Sequence, residues 1–237
     1  MHTIYEVYKG SFEAIVANTK ELQDECFKIR FLTFCEESHV LRDSNPYNGE
    51  KIECDGYDKH SAHGLLRHRD SGLFIGACRL ILNPPGATHG MLPANQYCKL
   101  DQPDSQFLTP HHQTAELSRL CISKTRCAQA ADFGAGKTLF GPSRFPSMML
   151  GLFHLYLRFS MENSVRYWYA AVEPSLFRHF ERLGMRFDKV GLPVEYHGLR
   201  QWCHAKVDEW LMRVRDERND VWDILTDRGT HTRWKSY

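Results

Sequence analysis

Hydrophobic residues in the first third of the chain follow first a helical and then an alternating spacing. Apolar side chains recur at a helical period over residues 19–37, and Asn18 with Glu21 three positions later is typical of a helix N-terminus. The apolar runs His63–Arg67 and Leu73–Leu82, joined by a short polar turn, predict two paired strands. The first predicted element is therefore an amphipathic helix, and a β-hairpin follows it.

The segment from Glu116 to Ser123 combines polar groups with residues that otherwise indicate a buried strand. It follows residues 83–113, which lack periodicity and predict a long loop with a short helix near Leu92. Strand alternation would place one set of side chains on one face and a second set on the other. The first set is Glu116, Ser118 and Leu120, and the second is Leu117, Arg119 and Cys121. A buried charge is costly unless it is paired or has a functional role, so this strand can contribute side chains both to a pocket and to an ion-pair network.

The second half of the chain alternates helices with strands after a connection rich in glycine and alanine. The predicted elements are a buried helix over 147–162, a strand over 165–172, a helix from Pro174 to Gly184, a strand over 185–190 and a tail helix over 205–226. This order predicts an α+β fold with a central mixed, mostly antiparallel sheet. We expect one domain over residues 1–200, with residues 201–237 as a helical extension that packs on it or pairs with another chain.

Composition narrows the class of protein further. The chain has 237 residues, 42% of them hydrophobic, a formal net charge of +1 and no run of basic residues that would track nucleic acid. No apolar window is long enough to span a bilayer, and no leader pattern appears, so a cytoplasmic location is expected. The eight cysteines include no C-x-x-C pair, and the thirteen histidines form no metal motif, so we expect reduced thiols and no metal site.

Between about Cys26 and Arg200 the chain contains a series of short motifs rich in charged and aromatic residues. The series is Arg30, Phe34, Asp55-Gly56-Tyr57-Asp58, Arg79, Glu116-x-Ser118-Arg119, Glu173-Pro174-x-Leu176 and Val194-Glu195-Tyr196-His197-Gly198. With these residues the chain resembles the GCN5-related (GNAT-like) acyltransferases, in particular the acyl-homoserine-lactone synthases. It is more similar still to the bacterial N-acyl amino acid synthases and exosortase (PEP-CTERM) system-associated acyltransferases. The resemblance implies a GNAT-like fold and acyl transfer to an amine.

The resemblance also implies roles for individual positions. The positions that match the conserved site set of the homoserine-lactone synthases are Arg30, Phe34, Asp55, Asp58, Arg79, Glu116 and Arg119. Two departures argue against lactone formation: no tryptophan follows the first helix, and His60 and His63 lie outside the synthase pattern. A glycine-rich pyrophosphate loop is not evident either, which favours acyl carrier protein over coenzyme A as the donor.

Four residues are candidates for the chemistry of N-acylation. Glu116 is predicted to be the general base, directly or through a water, or else to pair only with a neighbouring arginine. Asp58 can bind a cationic amine or hold the arginines in place. Ser118 can donate a hydrogen bond to the thioester carbonyl or to the backbone. His60 can transfer a proton, or only pack.

A second group of residues is expected to bind the acyl chain and the pantetheine arm. It comprises Leu120, Cys121, Ile122, Lys124, Arg126, Met149, Phe153 and Trp168, although the apolar members can equally be core. Lys124, Arg126 and Lys137 are available to an acidic carrier protein. The segment 131–138 matches a relaxed nucleotide-binding pattern but lacks its first glycine, and a thiol nucleophile at Cys121 or Cys78 is not required for direct transfer.

The sequence therefore predicts an N-acyltransferase that needs no cofactor. It would move a long-chain acyl group from acyl carrier protein, or from acyl-CoA, to the α-amine of an amino acid. Two alternatives stay open: an acyl-homoserine-lactone autoinducer synthase that uses S-adenosylmethionine, and a non-catalytic module that binds acyl groups or the carrier protein. The expected partners are acyl carrier protein and a small amino acid, not nucleic acid.

Overall fold

One mixed sheet of seven strands lies at the centre of the protein. The computed structural model describes residues 3–41, 49–84, 86–87, 90–98, 109–132 and 145–232. The strands are β1 (Phe12–Val16), β2 (Ser61–His68), β3 (Phe74–Leu82), β4 (Thr114–Ile122), β5 (Tyr167–Val172), β6 (Asp188–Glu195) and β7 (Leu199–Lys206). Their order is β1-β2-β3-β4-β5-β7-β6. Strands β4 and β5 are parallel, and every other neighbouring pair is antiparallel.

Helices cover both faces of this sheet, which confirms the predicted α+β class. They are α1 (Ile4–Ser11), α2 (Lys20–Phe31), α3 (Pro93–Cys98), α4 (Lys124–Ala130), α5 (Phe145–Glu162), α6 (Pro174–Arg182), α7 (Val207–Glu217) and α8 (Asn219–Thr226). Helix α2 continues as a π-helix over Leu32–Glu37, and 3₁₀ turns over Gly56–His60 and His111–Gln113 precede β2 and β4. Within the described residues, no helix combines the length and apolar composition that a membrane span requires.

Alternating side chains of the strands define two faces. On the face that we call the back, Leu80, Leu117 and Ala170 join the main core around α5. On the front, Ala77 and Cys121 pack with α2, and a separate cluster around Ile81, Tyr169 and Trp202 lies further along the same face. The sheet therefore separates a large apolar layer at the back from a smaller and more polar layer at the front.

Helix α5 is buried on several sides, as its continuous apolar sequence predicts. Leu150, Leu152, Leu155 and Leu157 are all fully buried, although they point in different directions around the helix. Each such leucine contributes roughly 1.5–3 kcal/mol of burial free energy. Helices α7 and α8 supply the outer cover of α5 through the same core cluster.

The structure corrects the predicted N-terminal region. Two elements, α1 and β1, precede the helix that the sequence predicted to be first. Helix α1 is fixed by a capping box in which Thr3 and Glu6 exchange hydrogen bonds with each other's backbone N–H groups. The N-cap of α2 is Thr19 rather than Asn18, because the Thr19 hydroxyl accepts the N–H of Leu22 at 3.4 Å.

The C-terminal prediction is also corrected. The strand predicted over 185–190 is β6, which runs from Asp188 to Glu195, and the sequence did not predict β7. Because β7 lies between β5 and β6, the expected boundary after residue 200 falls inside the sheet, and residues 201–206 belong to the main domain. The predicted tail helix is two helices, since the backbone of Arg218 leaves the helical region at φ −145°.

Candidate functional site

The site lies where β4 and β5 separate. These two strands pair only from Thr114 to Leu117 of β4, so the segment from Ser118 to Ile122 has no β5 partner. A cavity of about 460 Å³ opens in this gap. Residues from several elements line it. They come from the π-helix and the segment after it (Thr33, Phe34, Ser38, Val40, Leu41), β4 (Glu116, Leu117, Ser118, Arg119, Leu120, Cys121, Ile122), the start of α4 (Lys124), α5 (Phe153, Tyr156), β5 and the segment from its end to β6 (Ala170, Ala171, Val172, Glu173, Leu176, Phe180, Phe187), the β6–β7 turn (Tyr196, His197) and β7 (Arg200).

The cavity passes through the sheet from front to back. Glu116 and Ala171 reach it from the front face, whereas Leu117 and Ala170 reach it from the back. The back half is closed by aromatic side chains of the main core, among them Phe153. One opening therefore joins a polar front chamber to an apolar back chamber.

A β-bulge in β4 shapes the wall of this gap. Arg79 pairs with Ser118, but Ala77 pairs with Cys121, so β4 has one residue more than β3 between these two pairs. Arg119 takes up the extra length with a left-handed backbone, φ 51°. Just beyond the bulge, where Gly76 pairs with Ile122, a Cβ on Gly76 would lie 2.8 Å from the Cys121 carbonyl oxygen, so the two strands approach closely only because residue 76 is glycine.

The bulge makes the predicted alternation of β4 wrong beyond Ser118. Arg119 and Cys121 lie on the same front side as Ser118, not on the opposite face. The Arg119 guanidinium donates to Asp55 at 3.0 Å, and the same carboxylate also accepts from Arg79. The extra residue in β4 therefore turns the Arg119 side chain to the front face, where it joins Arg79 in binding Asp55.

Three arginines and three carboxylates form a buried network on the front face. Arg30 donates to Glu53 at 2.5 Å and to Asp58 at 2.8 and 3.2 Å. Arg79 donates to Asp55 at 2.7 and 3.1 Å, to Asp58 at 2.7 Å and to the Ser118 hydroxyl at 3.1 Å. Arg119 donates to Glu53 at 2.9 to 3.2 Å and to Asp55 at 3.0 Å. The three positive charges match the three negative charges, which a buried ionic group requires.

The carboxylates of this network remain ionised. Burial opposes ionisation of Glu53 and Asp58, but the charge of Arg30 outweighs it and lowers the pKa of each to about 2. Asp58 also accepts the N–H of Asp55 at 2.7 Å, which closes the 3₁₀ turn before β2. With its oxygens occupied and away from the cavity wall, Asp58 is placed to hold the arginines, the second of its two predicted roles.

Glu116 has the opposite electrostatic environment. It is 3% exposed, and burial raises its pKa to about 8 despite the backbone N–H of Ala94, which donates to Oε2 at 2.8 Å, and the more distant arginines. Among the described residues its Oε1 has no hydrogen-bond partner, and the side chain lines the cavity. A carboxyl group with a pKa near neutral pH exists in both protonation states under working conditions, as acid–base chemistry requires.

Ser118 lies between the network and the cavity. Its hydroxyl accepts from Arg79, which leaves its own proton free to be donated. Its carbonyl oxygen accepts the hydroxyl of Tyr156 at 2.7 Å from α5. These two contacts fix the backbone just before the bulge.

His60 does not line the cavity. It ends the 3₁₀ turn before β2, with its ring edge-on to Tyr57 at 5.9 Å. Its Nε2 is buried without a hydrogen-bond partner among the described residues. Because the His60 ring lies in this turn and not on the cavity wall, packing is the better supported of its two predicted roles.

The residues predicted to bind the acyl chain and pantetheine divide into two sets. Leu120, Cys121, Ile122, Lys124 and Phe153 line the cavity. Three others do not. Met149 and Trp168 are buried in the main core, where the Trp168 indole donates to Ser160 at 2.7 Å, and Arg126 lies in the first turn of α4. Lys137 lies outside the described residues.

Cys121 is a poor nucleophile in this environment. Burial raises the pKa of its thiol to about 12, so the thiolate is scarce at neutral pH. This agrees with the expectation that acyl transfer needs no thiol intermediate.

Several residues of the site escaped prediction from the sequence. Glu53 bridges two arginines, yet no motif marks it. The predicted set already held as many carboxylates as arginines, so no imbalance of charge pointed to a further carboxylate. The β6–β7 turn contributes Tyr196 and His197 to the cavity, and β7 contributes Arg200. Placing these residues at the cavity required knowledge of the unpredicted strand β7.

Glu37 accepts the hydrogen bonds of the backbone N–H groups at the start of α4. At the end of the π-helix, its carboxylate accepts the Ser123 hydroxyl at 2.6 Å and the backbone N–H groups of Lys124 and Thr125 at 2.9 and 3.0 Å. Burial opposes the ionisation of Glu37, but these hydrogen bonds outweigh it and lower its pKa. The backbone donors that follow β4 are therefore already occupied by a carboxylate of the chain itself.

Comparison with known proteins identifies a matching family model and several structures with a similar fold. Residues 29–132 match the family model of the acetyltransferase (GNAT) domain. The fold is similar to the acyl-homoserine-lactone synthase LasI, with 19% identity, a TM-score of 0.58 and coverage of 84% of this chain and 93% of LasI. No curated protein sequence matches the chain at a significant level.

Two further solved structures share the fold. The CoA-dependent acyl-homoserine lactone synthase BjaI, solved with SAM and isopentyl-CoA, is 18% identical, with a TM-score of 0.56 and coverage of 92% of this chain and 88% of BjaI. FeeM, an N-acyl amino acid synthase from uncultured soil microbes, is 14% identical, with a TM-score of 0.53 and coverage of 85% and 94%. The predicted GNAT-like fold is confirmed.

Proposed function

We propose that this chain, an acyltransferase with a GNAT domain and the fold of the homoserine-lactone and N-acyl amino acid synthases, makes N-acyl amino acids. It would transfer a long-chain acyl group from acyl carrier protein, or from acyl-CoA, to the α-amine of an amino acid. The observation that supports this best is Glu116, a buried carboxyl group with a pKa of about 8 at the opening between a polar and an apolar chamber.

The proposed reaction is direct transfer. The amine nitrogen attacks the thioester carbonyl carbon and forms the C–N bond, the C–S bond breaks, and the thiol leaves with a proton. Glu116 takes the proton that the amine loses, directly or through a water, and returns it to the departing sulfur. Ser118, or the backbone amides at the edge of β4 after the bulge, would donate hydrogen bonds to the carbonyl oxygen.

The two chambers suit the two substrates. The acyl chain would occupy the back chamber, where Phe153, Leu176 and Phe180 supply apolar walls. Each buried methylene adds roughly 0.8 kcal/mol, which favours long chains. The amino acid would occupy the front chamber beside Glu116.

A carrier-protein donor is favoured by the environment of α4. Because the Glu37 carboxylate accepts the N–H groups of Lys124 and Thr125, a nucleotide pyrophosphate would have to displace an anion to reach them. The side chains of Lys124 and Arg126 remain available to the phosphate of a pantetheine arm or to an acidic carrier protein.

The test is product analysis with a purified chain. Palmitoyl carrier protein and palmitoyl-CoA are each incubated with a mixture of the twenty common amino acids, and the products are identified by mass spectrometry. We expect an N-palmitoyl amino acid with the wild type, a loss of about 100-fold or more in rate with Glu116→Gln, and an unchanged rate with Glu209→Gln on the exposed face of α7.

A homoserine-lactone synthase remains the second candidate, because LasI and BjaI share the fold with slightly higher similarity than FeeM. Adding S-adenosylmethionine to the same assay separates the two. Release of methylthioadenosine together with an acyl lactone would establish the second candidate. Binding of palmitoyl carrier protein without any acylated amine would contradict both and indicate a non-catalytic binding module.

A further inference from the structure

The β6–β7 turn forms part of the front chamber wall. His197 and Gly198 both have left-handed backbones, with φ of 52° and 91°. The turn is held by Tyr196, whose N–H donates to the Gly198 carbonyl at 2.9 Å, and by Glu195, whose carboxylate accepts the Gly198 N–H at 3.0 Å. The Tyr196 ring also packs on Trp202 at 5.7 Å. A non-glycine residue in this backbone region is uncommon and is retained where neighbouring contacts determine it.

Arg200, the second residue of β7, brings a guanidinium to the cavity beside this turn. It is half-buried, and its Nη1 donates to the carbonyl oxygen of Leu199 at 3.0 Å. No carboxylate of the described residues lies within 4 Å of it, whereas Arg30, Arg79 and Arg119 are each paired with two carboxylates. Arg200 is therefore a cation at the cavity wall whose charge the described protein does not neutralise.

The charges of Arg200 and Arg119 both act on the neighbouring His197. His197 has a lowered pKa, first because of its partial burial and then because of the charges of Arg119 and Arg200. Glu173 is on the cavity wall as well, but it lies on the β5–α6 side and its carboxylate accepts the Ser175 hydroxyl. An anion in the front chamber would thus gain most from contact with Arg200.

We propose that Arg200 binds the α-carboxylate of the acceptor, and that this contact makes the enzyme selective for free amino acids over other amines. A bidentate guanidinium–carboxylate pair fixes both position and orientation. With the carboxylate held at the front wall, the α-amine one carbon away is directed into the chamber that Glu116 lines. This inference rests on the proposed function and assigns its acceptor class.

The donor's phosphate is a different anion that could reach the same guanidinium. Lys124 supplies a separate cation on the β4–α4 side of the cavity, next to the start of α4. We therefore assign the donor phosphate to that side and the acceptor carboxylate to Arg200. Kinetic constants for the two substrates separate these sources.

The experiment compares two acceptor substrates, the amino acid that the wild type acylates and the methyl ester of that amino acid. Both are assayed with the wild type and with Arg200→Met, Arg200→Lys and Arg213→Met. Arg213, on the exposed side of α7, is the matched control for loss of one guanidinium. We expect the wild type to prefer the free acid at least 10-fold in kcat/KM. Arg200→Met should raise the KM for the free acid 10- to 100-fold, leave the ester and the donor KM unchanged, and abolish the preference, while Arg200→Lys restores part of it.

Equal use of acid and ester by the wild type would overturn the inference and leave N-acyl transfer intact. So would a variant effect confined to the donor KM, which would assign Arg200 to the phosphate. If the wild type makes no N-acyl amino acid at all, the proposed function has failed instead. Calorimetric titration with each of the twenty amino acids then decides the carboxylate site: no binding, or binding unchanged in Arg200→Met, refutes it.

Discussion

Replacing Glu116 by glutamine should make the protein more stable, and increasingly so as the pH rises. Glutamine has nearly the same shape, and its side-chain oxygen can still accept the Ala94 N–H that donates to Glu116 at 2.8 Å. The substitution removes one property of the residue, its ability to ionise. In the wild type, burial raises the pKa of this carboxyl group from 4.5 to about 8.

The sign and size follow from proton linkage. Between pH 4.5 and 8 the folded state keeps a proton on Glu116 that the unfolded state has lost, so the contribution of this group to stability is full below pH 4.5 and falls as the pH rises to about 8. At about 1.36 kcal/mol per pKa unit, the loss is about 3 kcal/mol at pH 7 and roughly 5 kcal/mol above pH 8. Glu116→Gln should escape this loss.

Urea denaturation at pH 5, 7 and 8.5 measures the difference directly. The free energies of unfolding of wild type and Glu116→Gln should nearly agree at pH 5 and separate progressively above it. Glu37→Gln is the control of opposite sign: because hydrogen bonds lower the pKa of Glu37, its contribution exists above the ordinary glutamate pKa and is lost as the pH falls. A constant difference between wild type and Glu116→Gln across this range would refute the assignment of a buried, neutral carboxyl group.

Three further outcomes are expected. Glu53→Gln leaves Arg30 and Arg119 with one negative charge too few and should lower the free energy of unfolding by about 3–5 kcal/mol in urea denaturation; a loss below about 1 kcal/mol would mean that water replaces the carboxylate. Leu176→Trp reduces the back chamber and should shift the products to shorter acyl chains by mass spectrometry; an unchanged distribution would place the chain elsewhere. Because burial raises the pKa of Cys121 to about 12, iodoacetamide at pH 8 should label the half-exposed Cys35 well before Cys121 by peptide mapping; comparable rates would contradict the burial.

The sequence predicts the architecture well where the signal is local. The apolar helix α5, the β2–β3 hairpin and five of the six residues of the arginine–carboxylate network follow from spacing and resemblance. The errors arise where one residue changes a periodic pattern. Alternation predicts Arg119 on the face of Leu117, and only the left-handed backbone at Arg119 reveals the bulge that turns it to the front.

Long-range pairing is the other limit of the sequence. Strand β7 contains Gln201, Trp202 and His204, which do not show a regular apolar alternation, and its place between β5 and β6 depends on contacts distant in the chain. The position of Arg200 at the cavity could not be predicted without that strand. Glu53 escaped for a related reason, since it joins the network through two arginines that are 23 and 66 residues away.

The balance of the network explains how Glu116 can have a raised pKa so near to arginines. Arg79 and Arg119 lower the pKa of Glu116, and Asp55 raises it, but burial is the largest influence. An uncompensated positive charge about 8 Å away would contribute about 2 kcal/mol at an effective dielectric constant of 20, or about 1.5 pKa units. Such a charge would hold Glu116 ionised and make it a weaker base. Glu53 lies outside the cavity wall, yet by completing the neutral set it lets the arginines fix the bulge without imposing a net positive charge on Glu116.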